Sequence, residues 1–239
     1  MNQAYGKKTA LVTGATRGIG RAIAVRLIAD GAAVIGTGTK LAGTVPNGCD
    51  YLAVDFSDEG ETKKFAVEVA AMKPDILINN AGINKISPFE EINIDDFYRI
   101  QQVNVFAPFI LMRAVVPNMC KKGWGRIVNI GSVWGKVAKS QRGSYATSKF
   151  ALDGMTNTLA AEVAADGVLV NCVAPGFIDT ELTRTVLGEK GIADLITQVP
   201  AKRLGQVEEI AAFVAWLAGP ENTYISGQNI AIDGGFTRV

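Results

Sequence analysis

The sequence predicts a doubly wound, Rossmann-type α/β fold, with helices on both faces of a parallel sheet of about seven strands. Three observations carry this. Short, β-branched, almost wholly apolar runs recur along the chain, helical patterns separate them, and a glycine-rich turn joins the first run to the first helix.

The runs at 9–13, 33–37, 51–55, 75–79, 126–130, 168–173 and 229–232 read as strands. Most are apolar at successive positions rather than alternate ones, as parallel strands covered on both faces require. Between the first two, Ile19, Ile23 and Leu27 recur every four residues and Gly31 follows as a C-cap, so 18–30 reads as a helix. Segments 58–72, 95–121, 144–165 and 207–218 read likewise. The link from Lys40 to Asp50 is rich in Gly and Pro and too short for a full crossover helix, so a reduced connection is expected there. No repeat or long linker divides the chain, and 239 residues with 48% hydrophobic content suffice for a single domain spanning 1–239.

Composition narrows the function. With 24 basic and 23 acidic residues the chain lacks the electrostatic footprint of a nucleic-acid or anionic-membrane partner, and a small molecule fits better. No secretory leader and no apolar run of membrane-spanning length is read, and Cys49, Cys120 and Cys172 form no CxxC pair. A cytoplasmic protein without a metal site is therefore expected. The absence of histidine excludes a serine-histidine hydrolase triad and leaves proton transfer to Tyr, Lys, Asp or Glu.

Directly after the first strand stand Thr13-Gly14-Ala15-Thr16-Arg17-Gly18-Ile19-Gly20. Glycines there let the backbone approach a pyrophosphate, and the helix start offers unpaired N–H groups to it, although such turns also occur for packing alone. At the end of the second strand, Gly36-Thr37-Gly38-Thr39-Lys40 carries no carboxylate to bind a ribose 2′-hydroxyl. Arg17, Thr39 and Lys40 could instead hold a 2′-phosphate, or be ordinary surface groups. NADP(H) is favoured over NAD(H).

Tyr145 and Lys149 stand at i and i+4 on one helix face, about 6 Å apart at Cβ. Alone, that spacing equally describes a partly buried ring and a solvated amine. Ser132, however, lies just beyond one strand and Asn79-Asn80-Ala81-Gly82 follows another, both at strand ends where open parallel sheets bind ligands.

Together, TGATRGIG at 13–20, NNAG at 79–82, Asn104, GS at 131–132, YATSK at 145–149 and PGFIDT at 175–180 resemble the short-chain dehydrogenase/reductase family, in order and across Lys7 to Gly235. The resemblance implies a reductase in which Tyr145 gives a proton to a ketone, Ser132 orients its oxygen, Lys149 stabilises the phenolate, and Asn104 supports a proton relay. Tyrosine, with an ordinary pKa near 10, needs such a neighbouring cation. The resemblance also assigns Gly14, Thr16, Arg17, Gly18, Ile19 and Gly20 to the phosphates. It places Asp55 and Phe56 at the adenine, Asn80 at the adenosine-side ribose and Gly82 beside it. Tyr145 and Lys149 then lie at the nicotinamide ribose, and Pro175, Gly176, Ile178 and Thr180 at the carboxamide. For Asp55 and Pro175-Gly176, simple turns are the alternative.

Within the family the stretch 173–227 most resembles bacterial 3-oxoacyl-acyl-carrier-protein reductases, implying a 3-oxoacyl thioester, bound to the carrier protein or CoA, and a homotetramer. Gly123 and Asp166 stand where arginines are expected for carrier docking, with Lys121, Lys122 and Arg126 as partial substitutes. A sugar, steroid or secondary-metabolite carbonyl is the alternative substrate, and a silent nucleotide-binding protein the alternative class. Leu182, Val186, Leu187, Ile192, Leu195 and Ile196, interrupted by Gly188 and Gly191, suggest a substrate lid over 181–200.

Overall fold

Seven strands, β1 (Thr9–Val12), β2 (Ala33–Gly38), β3 (Cys49–Ala53), β4 (Ile76–Asn79), β5 (Gly125–Ile130), β6 (Val168–Pro175) and β7 (Asn229–Ile232), form one sheet in this computed structural model, which describes residues 5, 6 and 8–238. All pair in parallel, in the order β3-β2-β1-β4-β5-β6-β7. The chain thus starts mid-sheet, runs to one edge, and crosses back at β4. That reversal opens a crevice at the strand C-termini between β1 and β4.

Helices α1 (Gly18–Ala29), α2 (Glu59–Met72), α3 (Ile94–Gln101), α4 (Ala107–Lys122), α5 (Gly143–Val163), α6 (Glu181–Thr197) and α7 (Val207–Ala218) complete the layers. Alternate strand residues feed different helices. Ala10, Val12, Ile76 and Ile78 meet Ile23 and Leu27 of α1 and Ile210, Val214 and Leu217 of α7. Leu11, Leu77, Ile127 and Val170 meet Phe65 and Val69 of α2, Leu111, Val115 and Met119 of α4, and Val163 of α5. Each such large side chain, fully buried, contributes about 1.5–3 kcal/mol.

The Lys40–Asp50 link holds no helix, as its composition foretells, and the Tyr51 hydroxyl donates to the Lys40 carbonyl to close it against β3. The expected helix at 95–121 runs from Ile94 to Lys122, with α3 and α4 continuous through a π-turn at Gln102–Phe106. The wider turn carries Asn104 to the interior, where it is 1% exposed.

Among the described residues one helical segment, Ile94–Lys122, is long enough to cross a membrane and holds an 18-residue window of mean hydropathy 1.4, but charged residues interrupt it. Its apolar residues serve the core: Leu111, Val115 and Met119 lie under the sheet. The predicted lid is largely α6, interrupted at Gly188 (φ 63°, ψ 178°), while Gly191 stays inside the second helical piece. Leu195 is buried and Leu187 exposed. The side chains of Leu182 and Val186 lie outside the described residues, as does Lys7.

Candidate active site

The glycine-rich turn between β1 and α1 is stitched from three sides. Ala15 N–H donates to the Thr37 carbonyl (2.8 Å), Gly14 N–H donates to Thr37 Oγ1 (3.2 Å), and Asn80 Nδ2 donates to the carbonyls of Thr13 (2.9 Å) and Gly14 (3.1 Å). Thr13 Oγ1 in turn accepts from the N–H groups of Asn80 and Ala81, both at 2.9 Å. The turn therefore presents a fixed rim. A Cβ at Gly20 would stand 2.3 Å from both Asn80 Nδ2 and the Gly14 oxygen, so no other residue fits there. No side chain caps α1, which leaves its first amides, those of Gly18, Ile19 and Gly20, as orphan donors. This cradle fits a pyrophosphate.

On the adenosine side, Thr16 lies against Gly38, and Arg17, Thr39 and Lys40 are all exposed around that contact. Among the described residues neither Arg17 nor Lys40 has an ion-pair partner. A Cβ at Gly38 would already meet Thr16 Cγ2 at 2.6 Å and the Tyr51 hydroxyl at 2.9 Å. A side chain at that position would require Thr16 and Tyr51 to shift.

At the strand ends beyond the crevice, Ser132 follows β5 and opens a short 3-10 turn, Val133–Gly135. Its Oγ accepts the Trp134 N–H at 3.2 Å, which leaves its own hydrogen free to be donated. That turn abuts α5, where an added Cβ on Gly135 would be 2.8 Å from the Lys149 carbonyl oxygen. Tyr145 is half-buried and Lys149 is 4% exposed, with Nζ 5.5 Å from the Tyr145 ring centroid and 2.8 Å from the Ile130 oxygen to which it donates. Gly82 completes the convergence: a Cβ there would be 3.4 Å from Asn104 Oδ1 and 3.6 Å from Lys149 Nζ. Asn104 spends both amide hydrogens, on the Ile83 oxygen (2.9 Å) and Ser148 Oγ (3.0 Å), and its Oδ1 accepts from Ile83 N–H. Beside Lys149, burial pushes the Cys172 thiol up to about 12, so it holds no thiolate at neutral pH.

The structure adds detail to several sequence assignments. Asn80 commits its amide nitrogen to the turn, donating to Thr13 and Gly14. The Phe56 ring turns into the core, edge-on to Phe65 at 5.9 Å. Asp55 Oδ1 accepts from Ser57 N–H and Oγ, which makes the turn reading correct for that oxygen and holds the carboxyl below its usual range. Gly176 packs against Asp233, Ile178 is buried, and Thr180 caps α6 by accepting the Thr183 N–H at 3.1 Å.

The carrier-docking substitutes are also corrected. Gly123 and Asp166 precede β5 and β6, at the opposite end of the sheet from Ser132, and Gly123 is the left-handed C-cap of α4 (φ 66°), a conformation that disfavours arginine. Arg126 is buried and donates to the carbonyls of Gly125, Gly167 and Asn222, while Lys122 pairs with Asp75. Missed from the sequence were Thr13 and Thr37, and an aromatic wall beside Ser132. In it Trp134, Phe177 and Phe236 meet edge-to-face at 4.9–5.9 Å. The Trp two residues after Ser132 was the available signal. Arg142, one turn before Tyr145, was missed as well.

A family profile described as enoyl-(acyl carrier protein) reductase matches residues 14–237. The 3-oxoacyl-[acyl-carrier-protein] reductase FabG of Salmonella typhimurium is 42% identical over 241 residues, covering 97% of this chain and 98% of that protein. Among solved structures, a gluconate 5-dehydrogenase from Burkholderia cenocepacia in complex with NADP and tartrate superposes with TM-score 0.89 at 30% identity, covering 100% of this chain and 98% of that one. A blue fluorescent protein from a metagenomic library, in complex with NADPH, gives TM-score 0.88 at 35% identity, with 99% of each chain covered.

Proposed function

Because this chain belongs to the short-chain dehydrogenase/reductase family, we propose that it is an NADPH-dependent oxidoreductase that reduces a ketone to a secondary alcohol. The observation that carries this reading is the convergence of Ser132, Tyr145, Lys149 and Asn104 at the strand ends beside a cradle that fits a pyrophosphate. The orphan amides of α1 would hold the phosphates, and Arg17, Thr39 and Lys40 the 2′-phosphate. When bound, NADPH supplies a hydride to the carbonyl carbon.

The remaining chemistry belongs to the chain. Ser132 donates its free hydroxyl hydrogen to the carbonyl oxygen and fixes its position, and Tyr145 gives that oxygen its phenolic proton. The Lys149 ammonium, held by the Ile130 carbonyl, stabilises the resulting phenolate and is placed to meet the nicotinamide ribose. Asn104 acts as a positioning residue, since its amide is committed to Ile83 and Ser148. Trp134, Phe177 and Phe236 exclude water from the Ser132 side.

For the substrate, the relatives at 42% identity support a 3-oxoacyl unit presented as an acyl-carrier-protein or CoA thioester. The residues at 123 and 166 lend no support to carrier docking, so the acyl unit rather than the carrier is the part of that substrate this reading keeps. The neighbour holding NADP and tartrate favours a second reading, a hydroxy or oxo acid. Following NADPH absorbance with acetoacetyl-CoA, acetoacetate and an oxidised sugar acid tests the class. Ketone-dependent consumption is expected. Tight NADPH binding with no consumption by any of the three would mark a silent nucleotide-binding protein instead.

A further inference from the structure

Arg142 breaks the local rules of the helix it begins. Helix starts favour Ser, Thr, Asp or Asn at the N-cap and negative charge in the first turn, yet α5 opens with arginine at that position and no acid in its first turn. The residue before it, Gln141, holds a left-handed backbone (φ 64°) and accepts the Ser87 N–H at 3.2 Å, so the approach to the helix is fixed by a second loop.

The side chain itself is half-buried, and among the described residues it makes no ion pair and donates no hydrogen bond. Arg126, the buried arginine of β5, donates to three carbonyls, whereas Arg142, like the half-buried Arg21 of α1, has no partner among the described residues. Arg142, as N-cap, stands three positions before Tyr145, so the two lie within the same turn at the start of α5. The phenol lies within electrostatic reach of the guanidinium, which burial holds below its ordinary value while Tyr145 acts the other way. An anion arriving beside Tyr145 would satisfy both the guanidinium and the uncapped helix start. A carboxylate matches the planar fork in a bidentate way that a neutral ester or thioester oxygen cannot.

We propose that Arg142 is a specificity-determining residue that anchors a substrate carboxylate close to the reacting ketone, so that this enzyme takes oxo acids with a free carboxylate. The proposal rests on the reductase reading above and narrows it to a substrate class.

The test compares acetoacetate with ethyl acetoacetate, which share the ketone and differ in charge, in the wild type, Arg142→Gln, Arg142→Lys and, as a control for nearby positive charge, Lys139→Ala. Lys139 is exposed, with its ammonium 5.4 Å from the Trp134 ring centroid, and so supplies a neighbouring positive charge. The wild type is expected to favour the acid. Arg142→Gln should lower the acid-to-ester ratio of kcat/KM tenfold or more, through KM for the acid rather than kcat, with partial recovery in Arg142→Lys and no change in Lys139→Ala. An equal fall for acid and ester, an unmoved ratio, or a wild type that reduces the ester but not the acid overturns the proposal while leaving the reductase reading intact. Failure of both substrates, with acetoacetyl-CoA reduced, overturns it too. Failure of all three ketones would sink the reductase reading itself.

Discussion

At Gly38 an added side chain would meet Thr16 Cγ2 and the Tyr51 hydroxyl, both of which would have to shift. Removing the donors tests cofactor preference without that rearrangement. A charge-assisted contact contributes about 1.5–3 kcal/mol, so Arg17→Ala and Lys40→Ala should each weaken NADPH binding by roughly tenfold to hundredfold. NADH, which lacks the 2′-phosphate, should bind as before. Measuring kcat/KM with both cofactors checks this, and a wild type that already prefers NADH would show both cations to be surface charges. Residue identities at the site were legible because motifs name chemistry. What the residues touch was not: Asn80 reaches back to Thr13 and Gly14, and Phe56 turns inward to Phe65, across separations that only the folded sheet closes. Arg142 belongs to no motif, and nothing but its neighbours distinguishes it from a solvated arginine.

Among elements, the seven strands and the helices at 18–30, 58–72, 144–165 and 207–218 were readable to within about two residues, since apolar runs and four-residue recurrence are consequences of burial. The π-turn was not. A single extra residue in a turn leaves the apolar pattern nearly intact while rotating Asn104 inward. Downstream of it, Phe106 and Phe109 remain 53% and 48% exposed, and Phe150 on α5 is 46% exposed. Aromatic faces of this kind on neighbouring helices suit pairing between copies by two-fold symmetry. Light scattering should return a multiple of 25.3 kDa, with Phe109→Glu plus Phe150→Glu shifting it downward. A wild type that runs as a monomer at micromolar concentration would contradict this, and the sequence expectation of a tetramer with it.

For the molecule as a whole, the strand order decides where chemistry can occur. The reversal between β1 and β4 brings the ends of β1, β2, β4 and β5 to one edge, so that turns distant in sequence, at Gly14, Gly38, Gly82 and Ser132, border one crevice into which α5 lays Tyr145 and Lys149. The central claim is that this edge performs proton transfer through Tyr145 to a ketone whose carbon receives hydride. Its most direct test is paired measurement, on one preparation, of NADPH affinity by fluorescence titration and of ketone-dependent NADPH consumption in the wild type and Tyr145→Phe. The substitution removes one hydroxyl and keeps the ring, so NADPH affinity should stay within about twofold while kcat falls by roughly 10²–10⁴-fold. Turnover near the wild-type rate in Tyr145→Phe, with affinity unchanged, would contradict the account.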